Sequence, residues 1–424
     1  MNKLIISGFL SMGTLAVFAG AGDVESYIRT NLPRTVVTTA VDDGPIMALP
    51  RPYSMPGLPG VFREMYYWDT YFTNLGFLRI GDLEQAVNNT EDIAYMIDWL
   101  GFMPNGNRTS YLPASQPPFF TKTVDDVYAR TGDKAWLARM YPIACREHRF
   151  WQEKRMSPSG LNRYAGLFAT DAQRQRTAKY FCERIGVPVP TDKATIARRA
   201  DALKVYGESG WDCTSRFNLD PQDSNWVCHN ALLFGMEEDL AHFAKILGTG
   251  EEAKWRACAD RRRELMNALM WDGKLGMFCD YNFVTRTRSD FVSVAAFYPL
   301  YVGLATPEQA ARTRELLAKL EFEHGLASSE NRNLQGLQWD YPHGWAPLHY
   351  IAISGLVRYG YAADAKRLAA KYCTTLETAF AKTGELWEKY DVTTGEVSVC
   401  KEYKTPTMLG WTAGVYLWCK ELLK

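Results

Sequence analysis

The sequence lacks several features that would assign a function class at once. Its 424 residues carry 48 basic and 48 acidic side chains, so the formal charge is zero. Neither the basic footprint of a nucleic-acid-binding protein nor an acidic tail is present. The nine cysteines form no CxxC pair, and the six histidines are scattered. We therefore expect no structural or catalytic metal and no cofactor. Because nine is an odd number, at least one thiol is expected to stay unpaired.

Long apolar runs are also scarce. Residues 1–26 contain one apolar stretch of about a dozen residues, which follows a single lysine and precedes Ala19-Gly20-Ala21. This pattern predicts a signal peptide over residues 1–21. No later segment approaches the roughly 18 uninterrupted apolar residues of a membrane-spanning helix. We expect a mature chain of residues 22–424 that is exported to the periplasm or secreted, has no membrane span and is a monomer.

The sequence has little β-strand pattern and many helical segments. Strand-like alternation occurs only briefly, at 35–41 and 395–399, and no Gly/Ser-rich linker divides the chain. Helical periodicity predicts about a dozen helices joined as hairpins in a single all-α domain. This favours an α/α toroid with its chemistry on the loops at one end. A helical solenoid has the same local pattern, although we find no fixed-period repeat. The helices are predicted over residues 83–100, 124–131, 134–154, 172–185, 192–205, 226–247, 291–304, 345–359, 362–382 and 407–423, with one more opening at a Thr249–Glu252 capping box and another at Thr306–Gln309.

Aromatic residues are abundant and stand beside carboxylates. The chain has 13 Trp and 23 Tyr, and Trp-Asp occurs at 68–69, 211–212, 271–272 and 339–340. Large rings pack in cores and also stack on the apolar faces of sugars. Glycoside hydrolysis needs one protonated and one ionised carboxyl group, and an aromatic environment raises the pKa of the acid. We interpret Trp271-Asp272-Gly273 as a structural helix end and turn.

Two long motifs carry a resemblance to a known family. Residues 57–71 echo the pattern Pro-Gly-Gly-Arg-Phe-x-Glu-x-Tyr-x-Trp-Asp-x-Tyr, and residues 338–347 match Gln-Trp-Asp-x-Pro-x-Gly-Trp-Ala-Pro at every defined position. The chain thereby resembles the trehalases, glycoside hydrolase family 37. The resemblance runs in order from about residue 50 to 416. It implies an (α/α)6 barrel and hydrolysis of an α-glucosidic bond, trehalose first among the candidates, with inversion at the anomeric carbon.

The resemblance also implies roles for individual residues. Asp212 corresponds to the general acid and Glu388 to the general base. Glu402 matches a substrate-binding glutamate. The other positions that match the sugar-binding pocket or its floor are Phe62, Trp68, Asp69, Asn105, Ser115, Gln116, Gly210, Trp339, Asp340, Gly344 and Trp345.

Each role has a structural alternative. Asp212 could be a helix cap, because Cys213-Thr-Ser follows it, and Glu388 could be a solvated surface charge. Glu402 competes with Glu388 for the role of base. Asp340 could only brace the turn at 342–344. Arg63 and Glu64 could form a structural ion pair.

Three departures from the family pattern concern arginines. Val61 and Ala114 stand where the family has arginine, and no Arg-Pro-Glu-Ser element occurs between 162 and 207. Val and Ala cannot replace the donors of a guanidinium group. Arg174 or Arg176 could compensate. Besides a trehalose-cleaving enzyme, the sequence therefore leaves open an α-glycosidase for another α-glucoside and an exported sugar-binding protein with lost catalysis.

Overall fold

A computed structural model describes residues 21–58, 60, 62–112, 114–166, 170–332, 337–400 and 402–424. Nearly all of the predicted signal peptide, residues 1–20, lies outside the described residues, as does Val61. Within the described ranges no helix is both long and apolar enough to cross a membrane. The same ranges contain fifteen α-helices: α1 Ala21–Asn31, α2 Tyr67–Ile80, α3 Leu83–Leu100, α4 Phe120–Thr131, α5 Lys134–Lys154, α6 Asp171–Ile185, α7 Lys193–Ser209, α8 Val227–Leu247, α9 Glu252–Leu269, α10 Tyr298–Tyr301, α11 Pro307–Arg314, α12 Leu317–Leu320, α13 Ala346–Arg358, α14 Ala362–Thr383 and α15 Trp411–Leu423.

Six of these helices form a closed inner ring. Following their contacts, α2 packs on α4, α4 on α8, α8 on α10, α10 on α13, α13 on α15, and α15 returns to α2. The outer helices α3, α5, α9 and α14 each pack against one or two members of the ring. The predicted all-α toroid is confirmed, and the closed ring excludes an open solenoid. The α6–α7 hairpin lies outside this alternation, inserted between α5 and α8 and packed mainly on itself.

Helix α2 was absent from the sequence prediction because its burial is not one-sided. Its first eleven residues, Tyr67 to Phe77, are all buried, so no amphipathic period marks it. It approaches α15 closely through two glycines. A Cβ at Gly76 would lie 3.2 Å from the Cα of Gly414, and one at Gly414 would collide with the Phe72 carbonyl oxygen. Glycine is therefore required at this crossing, which closes the ring.

Most predicted helices are found within a few residues of their expected bounds. The capping box at Thr306 is confirmed, since its hydroxyl accepts from Gln309 N–H and the Gln309 side chain accepts from Thr306 N–H. The capping box at Thr249 is wrong. Helix α9 begins at Glu252 with Glu251 as N-cap and no side-chain cap, and the Glu251 carboxylate instead accepts from Tyr141. The helix expected over 291–304 is reduced to a 3-10 turn and the short α10.

Short antiparallel strand pairs connect the helices. The predicted strand at 35–41 is reduced to β1 (Val36–Val37), and residues 395–399 contribute only a single bridge, Tyr390 to Val397. The pair of β10 (His343–Trp345) and β11 (Lys389–Asp391) matters most for function, because it aligns Gly344 with Tyr390 and so brings the 338–347 motif beside Glu388. The strands are β1 Val36–Val37, β2 Tyr53–Ser54, β3 Ser224–Asn225, β4 Trp271–Asp272, β5 Met277–Phe278, β6 Tyr281–Asn282, β7 Thr287–Arg288, β8 Glu321–Phe322, β9 Gly325–Leu326, β10 His343–Trp345 and β11 Lys389–Asp391.

Candidate active site

A cavity of about 700 Å³ opens at the end of the ring where α2, α13 and α15 begin. Trp68 and Asp69 reach it from the first turn of α2, Trp345 from the residue before α13, and Trp411 from the start of α15. Eleven of the fourteen site residues expected from sequence line it: Phe62, Trp68, Asp69, Asn105, Gln116, Gly210, Asp212, Trp339, Trp345, Glu388 and Glu402.

The remaining three expected residues lie behind the cavity wall. Ser115 is fully buried and its hydroxyl donates to the Met103 carbonyl at 2.6 Å. Gly344 lies in β10, where a Cβ would collide with the Val392 side chain. Asp340 accepts hydrogen bonds from the hydroxyls of Thr214 (2.8 Å) and Ser215 (2.6 Å). These contacts favour a structural role for the Asp340 side chain over direct contact with a sugar. The side chain braces residues 214–215, which follow Asp212, and not the turn at 342–344 that the sequence suggested.

The floor of the cavity is a cluster of tryptophans. Trp339 stacks on Trp345 with ring centroids 3.9 Å apart and planes within 6°. Trp68 and Trp211 each lie within 5.6 Å of the Trp339 ring, and Trp411 meets Trp345 edge-on at 5.7 Å. The indole N–H of Trp345 donates to the Gln338 carbonyl at 2.8 Å, which fixes its rotamer. Such a floor is rigid, apolar and suited to the face of a pyranose ring.

Asp212 follows the C-terminus of α7. Gly210 ends that helix in the left-handed region (φ 71°), and a Cβ there would lie 2.8 Å from the Trp68 ring. The chain therefore turns tightly under the indole and presents Asp212 to the cavity. The cap alternative is wrong, because Thr214 is the N-cap of the following 3-10 turn.

The surroundings of Asp212 keep it protonated up to mildly acidic pH. Its side chain is 40% exposed, but that exposure is to the cavity, and protein surrounds it on all other sides. This desolvation raises the pKa of Asp212 to about 6, while Arg184 opposes the shift and the Glu402 and Glu388 carboxyls add to it. A carboxyl with such a pKa can act as a general acid.

Glu388 is contacted by donors that favour its ionised form. Its carboxylate is buried and receives a 2.6 Å ion pair from Lys389 Nζ and hydrogen bonds from the Tyr403 hydroxyl, 2.9 Å to each oxygen. Burial raises the pKa of Glu388, but Lys389 and Tyr403 both counteract this by favouring the ionised form. The surface-charge alternative is therefore wrong. In its ionised form, which Lys389 and Tyr403 favour, Glu388 can accept a proton from water at the cavity wall.

Glu402 is committed to structural contacts on both oxygens. Oε2 accepts from Arg184 Nε at 2.9 Å, and Oε1 accepts from the Gln338 backbone N–H at 3.0 Å. Both oxygens of Glu388 accept hydrogen bonds as well, so these contacts do not choose between the two carboxylates, and it is the resemblance that assigns the role of base to Glu388.

Asp69 is a fourth carboxyl at the cavity, after Asp212, Glu388 and Glu402. It is buried at the start of α2, and burial together with the nearby Glu388 and Asp212 carboxyls holds the pKa of Asp69 well above its usual range. Protonated Asp69 can donate a hydrogen bond to a sugar hydroxyl.

Sequence reasoning missed one wall of the cavity, which the α6–α7 hairpin supplies. Of the two arginines considered as substitutes, Arg176 lines the cavity, whereas Arg174 pairs at 3.8 Å with Asp171 and with Asp201. A signal was present in α6, because Arg176, Tyr180 and Arg184 recur every four residues and so share one face. The hairpin residues lining the cavity are Arg176, Thr177, Tyr180, Arg184, Leu203, Lys204 and Gly207.

Other predicted features have structural roles. Arg63 pairs with Asp43, whereas Glu64 pairs with Arg108, so the expected Arg63–Glu64 ion pair is wrong. Asp272 accepts from the backbone N–H groups of Lys274 and Leu275, which confirms the turn expected there. The expected helix end at Trp271 is wrong, because α9 ends at Leu269 and Trp271–Asp272 form β4. All nine cysteines are free. In the part of the chain that the structure describes, no group of three or more His, Cys, Asp and Glu side chains is arranged to hold a metal ion.

Comparison with known proteins places these features in one family. The sequence model of the family named Trehalase matches residues 22–423. The periplasmic trehalase of Xanthomonas oryzae pv. oryzae is 35% identical over 396 residues, covering 88% of this chain and 68% of that protein. The periplasmic trehalase of Pseudomonas aeruginosa is 34% identical over 406 residues, covering 88% and 71%.

Solved structures give the same picture at the level of the fold. The neutral trehalase Nth1 from Saccharomyces cerevisiae superposes with a TM-score of 0.75 at 28% identity, covering 96% of this chain and 80% of that one. A mannosylglycerate hydrolase of glycoside hydrolase family 63 from Thermus thermophilus superposes with a TM-score of 0.64 at 18% identity, covering 93% and 99%. The second likeness concerns the fold alone.

Proposed function

The chain belongs to the trehalase family, and from this premise we propose that it is an exported glycoside hydrolase that cleaves trehalose with inversion. Asp212 is the general acid in this proposal and Glu388 the general base. The observation that carries it is the presence of two carboxyls with different neighbours in one cavity. Asp212 has a pKa of about 6, and Glu388 forms an ion pair with Lys389 and accepts from the Tyr403 hydroxyl.

The reaction follows from these two environments. Protonated Asp212 gives its proton to the glycosidic oxygen as the bond from that oxygen to the anomeric carbon breaks, and the bonding electrons stay with the oxygen. A water molecule attacks the anomeric carbon from the opposite face, and Glu388 takes the proton that the water loses. The tryptophan floor of Trp68, Trp339, Trp345 and Trp411 supports the sugar ring, and Asp69 can bind one of its hydroxyls.

Export is supported by two observations. The relatives compared above are named periplasmic trehalases, and residues 1–21 have the pattern of a signal peptide. We propose one catalytic domain over residues 22–424 that acts as a monomer on a small carbohydrate. N-terminal sequencing of the exported protein tests the cleavage after Ala21, and light scattering tests the monomer.

An activity screen tests the function. The purified enzyme is incubated with trehalose, kojibiose, nigerose, maltose and glucosylglycerol, and released glucose is measured. We expect trehalose to be cleaved with the highest kcat/KM. Sugar binding by calorimetry without hydrolysis at long incubation would contradict an enzymatic function and favour a binding protein.

A second candidate substrate class rests on Ala114. This small residue lines the cavity where the resemblance places an arginine, so a guanidinium group is missing from that position. A site that loses hydrogen-bond donors changes its preference between substrates by large factors. Cleavage of another disaccharide in the screen at a higher kcat/KM than trehalose would establish this alternative.

A further inference from the structure

Arg184, in the α6–α7 hairpin, lies close to two carboxylates. Its Nε donates to Glu402 Oε2 at 2.9 Å, while its terminal nitrogen lies 3.6 Å from Asp212 Oδ2. The Arg184 side chain is only 13% exposed, and it reaches the cavity from the last turn of α6. No motif of the sequence singled it out.

The two distances have different meanings. A separation of 2.9 Å is a full charge-assisted hydrogen bond, whereas 3.6 Å is beyond hydrogen-bond range but close enough for strong attraction between charges. Arg184 is therefore anchored by Glu402 and only adjacent to Asp212. The anchoring leaves the Asp212 proton free to reach a leaving oxygen, since the guanidinium group cannot accept a hydrogen bond.

Asp212 changes charge during the proposed reaction, and this change gives Arg184 its importance. Before proton transfer Asp212 is neutral and gains little from the guanidinium group. As the proton moves to the leaving oxygen, the carboxyl becomes an anion in a desolvated cavity beside a fixed cation. An interaction that is stronger in the transition state than in the ground state accelerates the chemical step.

Carboxyls and weak acids near Asp212 do not supply this attraction. They are Asp69 from α2, Glu388 from the residue before β11, Glu402 and Tyr403 from the segment before α15, Cys213 beside it in the chain, and Tyr111 from the loop before α4. Other cations are close to the site: Arg176, Lys204 and Lys404 line the same cavity, and Lys389 pairs with Glu388. Among the described cations, Arg184 is the one that lies within 4 Å of the Asp212 carboxylate.

We propose that Arg184 is a positioning residue that stabilises the negative charge developing on Asp212 while holding Glu402 in place, so that it acts through the acid and not by gripping the sugar. This inference rests on the proposed function, because it needs Asp212 as the acid. The lowering effect of Arg184 on the pKa of Asp212 supports it.

The test compares Arg184→Gln and Arg184→Lys with Lys179→Gln. Lys179 lies on the same helix, is 66% exposed, and pairs at 3.8 Å with Glu183 away from the cavity. Each variant is assayed on trehalose and on α-glucosyl fluoride, whose fluoride leaves without a proton. We expect Arg184→Gln to lose about 100-fold in kcat on trehalose with KM nearly unchanged, but less than about 5-fold on the fluoride. Arg184→Lys should retain part of the activity, and Lys179→Gln all of it.

The pH profile gives a second readout. The acid must be protonated, so kcat/KM falls as pH rises through the pKa of Asp212. Removing Arg184 removes a cation that lowers this pKa and leaves Glu402 uncompensated, so the basic limb should move to higher pH by about one unit. Equal losses on both substrates with an unmoved basic limb would show a merely structural role and overturn the proposal.

Failure of the proposed function looks different. Compared with the wild type on the same substrate, Asp212→Asn should lose most of its activity on trehalose but retain much of it on α-glucosyl fluoride. If Asp212→Asn still cleaves trehalose at a near wild-type rate, Asp212 is not the acid, and that outcome is independent of any Arg184 variant. Circular dichroism and unfolding midpoints confirm that each variant is folded.

Discussion

The cavity has two walls that are built in different ways. The motif wall is the tryptophan floor described above, formed by Trp68, Trp339, Trp345 and Trp411. It consists of large buried rings at the end of the helical ring where α2, α13 and α15 begin. The hairpin wall, defined by Arg176, Thr177, Tyr180, Arg184, Leu203 and Lys204, belongs to a helix pair outside the ring. Trp345 is 1% exposed, whereas Tyr180 is 56% exposed.

This difference separates two tasks. Close packing makes the motif wall part of the core, so that the same residues determine stability and the position of the sugar ring. The hairpin wall packs mainly on itself, and it contributes polar and charged groups to the cavity, among them Arg184 beside Asp212. Changes in the motif wall should therefore affect folding and catalysis together. Changes at exposed residues of the hairpin wall, such as Tyr180, should affect substrate binding alone, whereas a change at buried Arg184 should act on kcat through Asp212.

The largest effect on activity is expected at the two carboxyls that transfer protons. Asp212→Asn and Glu388→Gln should each reduce kcat on trehalose by at least about 1,000-fold, because each removes one half of the acid–base pair. Both substitutions are isosteric. Asp212→Asn should leave the unfolding midpoint close to that of the wild type, whereas Glu388→Gln removes the counter-charge of the buried Lys389 ammonium and should lower the midpoint. Steady-state kinetics with matched thermal unfolding measures both. Retention of activity in either variant would refute its assigned role.

Removing a ring from the motif wall should lower the free energy of unfolding. Trp345→Ala deletes a side chain that stacks on Trp339 at 3.9 Å and donates to Gln338. We expect a loss of about 3–5 kcal/mol in the free energy of unfolding, as for other buried aromatic deletions. Urea denaturation measures it. A loss below about 1 kcal/mol would show that this wall is not part of the core.

The pH dependence of kcat/KM on trehalose should reflect the two carboxyls. Asp212 must be protonated, and its pKa of about 6 places the fall in activity above that pH. Two pH units higher, about 1% of the maximal rate constant should remain, since each unit costs about tenfold. The acidic limb belongs to Glu388, which must be ionised. A rate constant that stays flat from pH 6 to 8 would contradict Asp212 as the acid.

The smallest effect is expected at the outer hairpin wall. Tyr180→Ala removes an exposed ring that lines the cavity, so KM for the sugar should rise by a few-fold through lost stacking. Stability should change by less than about 0.5 kcal/mol, as for most surface substitutions. The same urea and kinetic measurements apply. A stability loss comparable to that of Trp345→Ala would remove the distinction between the walls.

The two walls also differ in how far the sequence predicted them. Three of the four rings of the motif wall were predicted, because Trp68, Trp339 and Trp345 belong to long patterns with fixed spacing. Trp411 lies outside both patterns and was not predicted. Helix α2 was not predicted, since a helix buried on every side has no periodic polar face. Arg184 was not predicted either, because a single arginine on an amphipathic helix has many ordinary uses and its contacts with Glu402 and Asp212 exist only in the folded chain.

Asp340 shows the limit of a motif from the other direction. It belongs to the best-matched segment, yet its carboxylate accepts hydrogen bonds from the hydroxyls of Thr214 and Ser215 and not from a sugar-binding position. A pattern marks residues that belong together without separating those that touch the sugar from those that hold the wall. Only the direction of the side chain makes that distinction.

The most direct test of the central claim is the anomeric configuration of the first products, followed by proton NMR immediately after enzyme is added to trehalose. Both anomeric carbons of trehalose are α. Inversion with Asp212 as acid and Glu388 as base predicts equal amounts of α- and β-glucose, because the attacked ring inverts and the leaving ring does not. Initial release of α-glucose alone would mean retention and would contradict the mechanism.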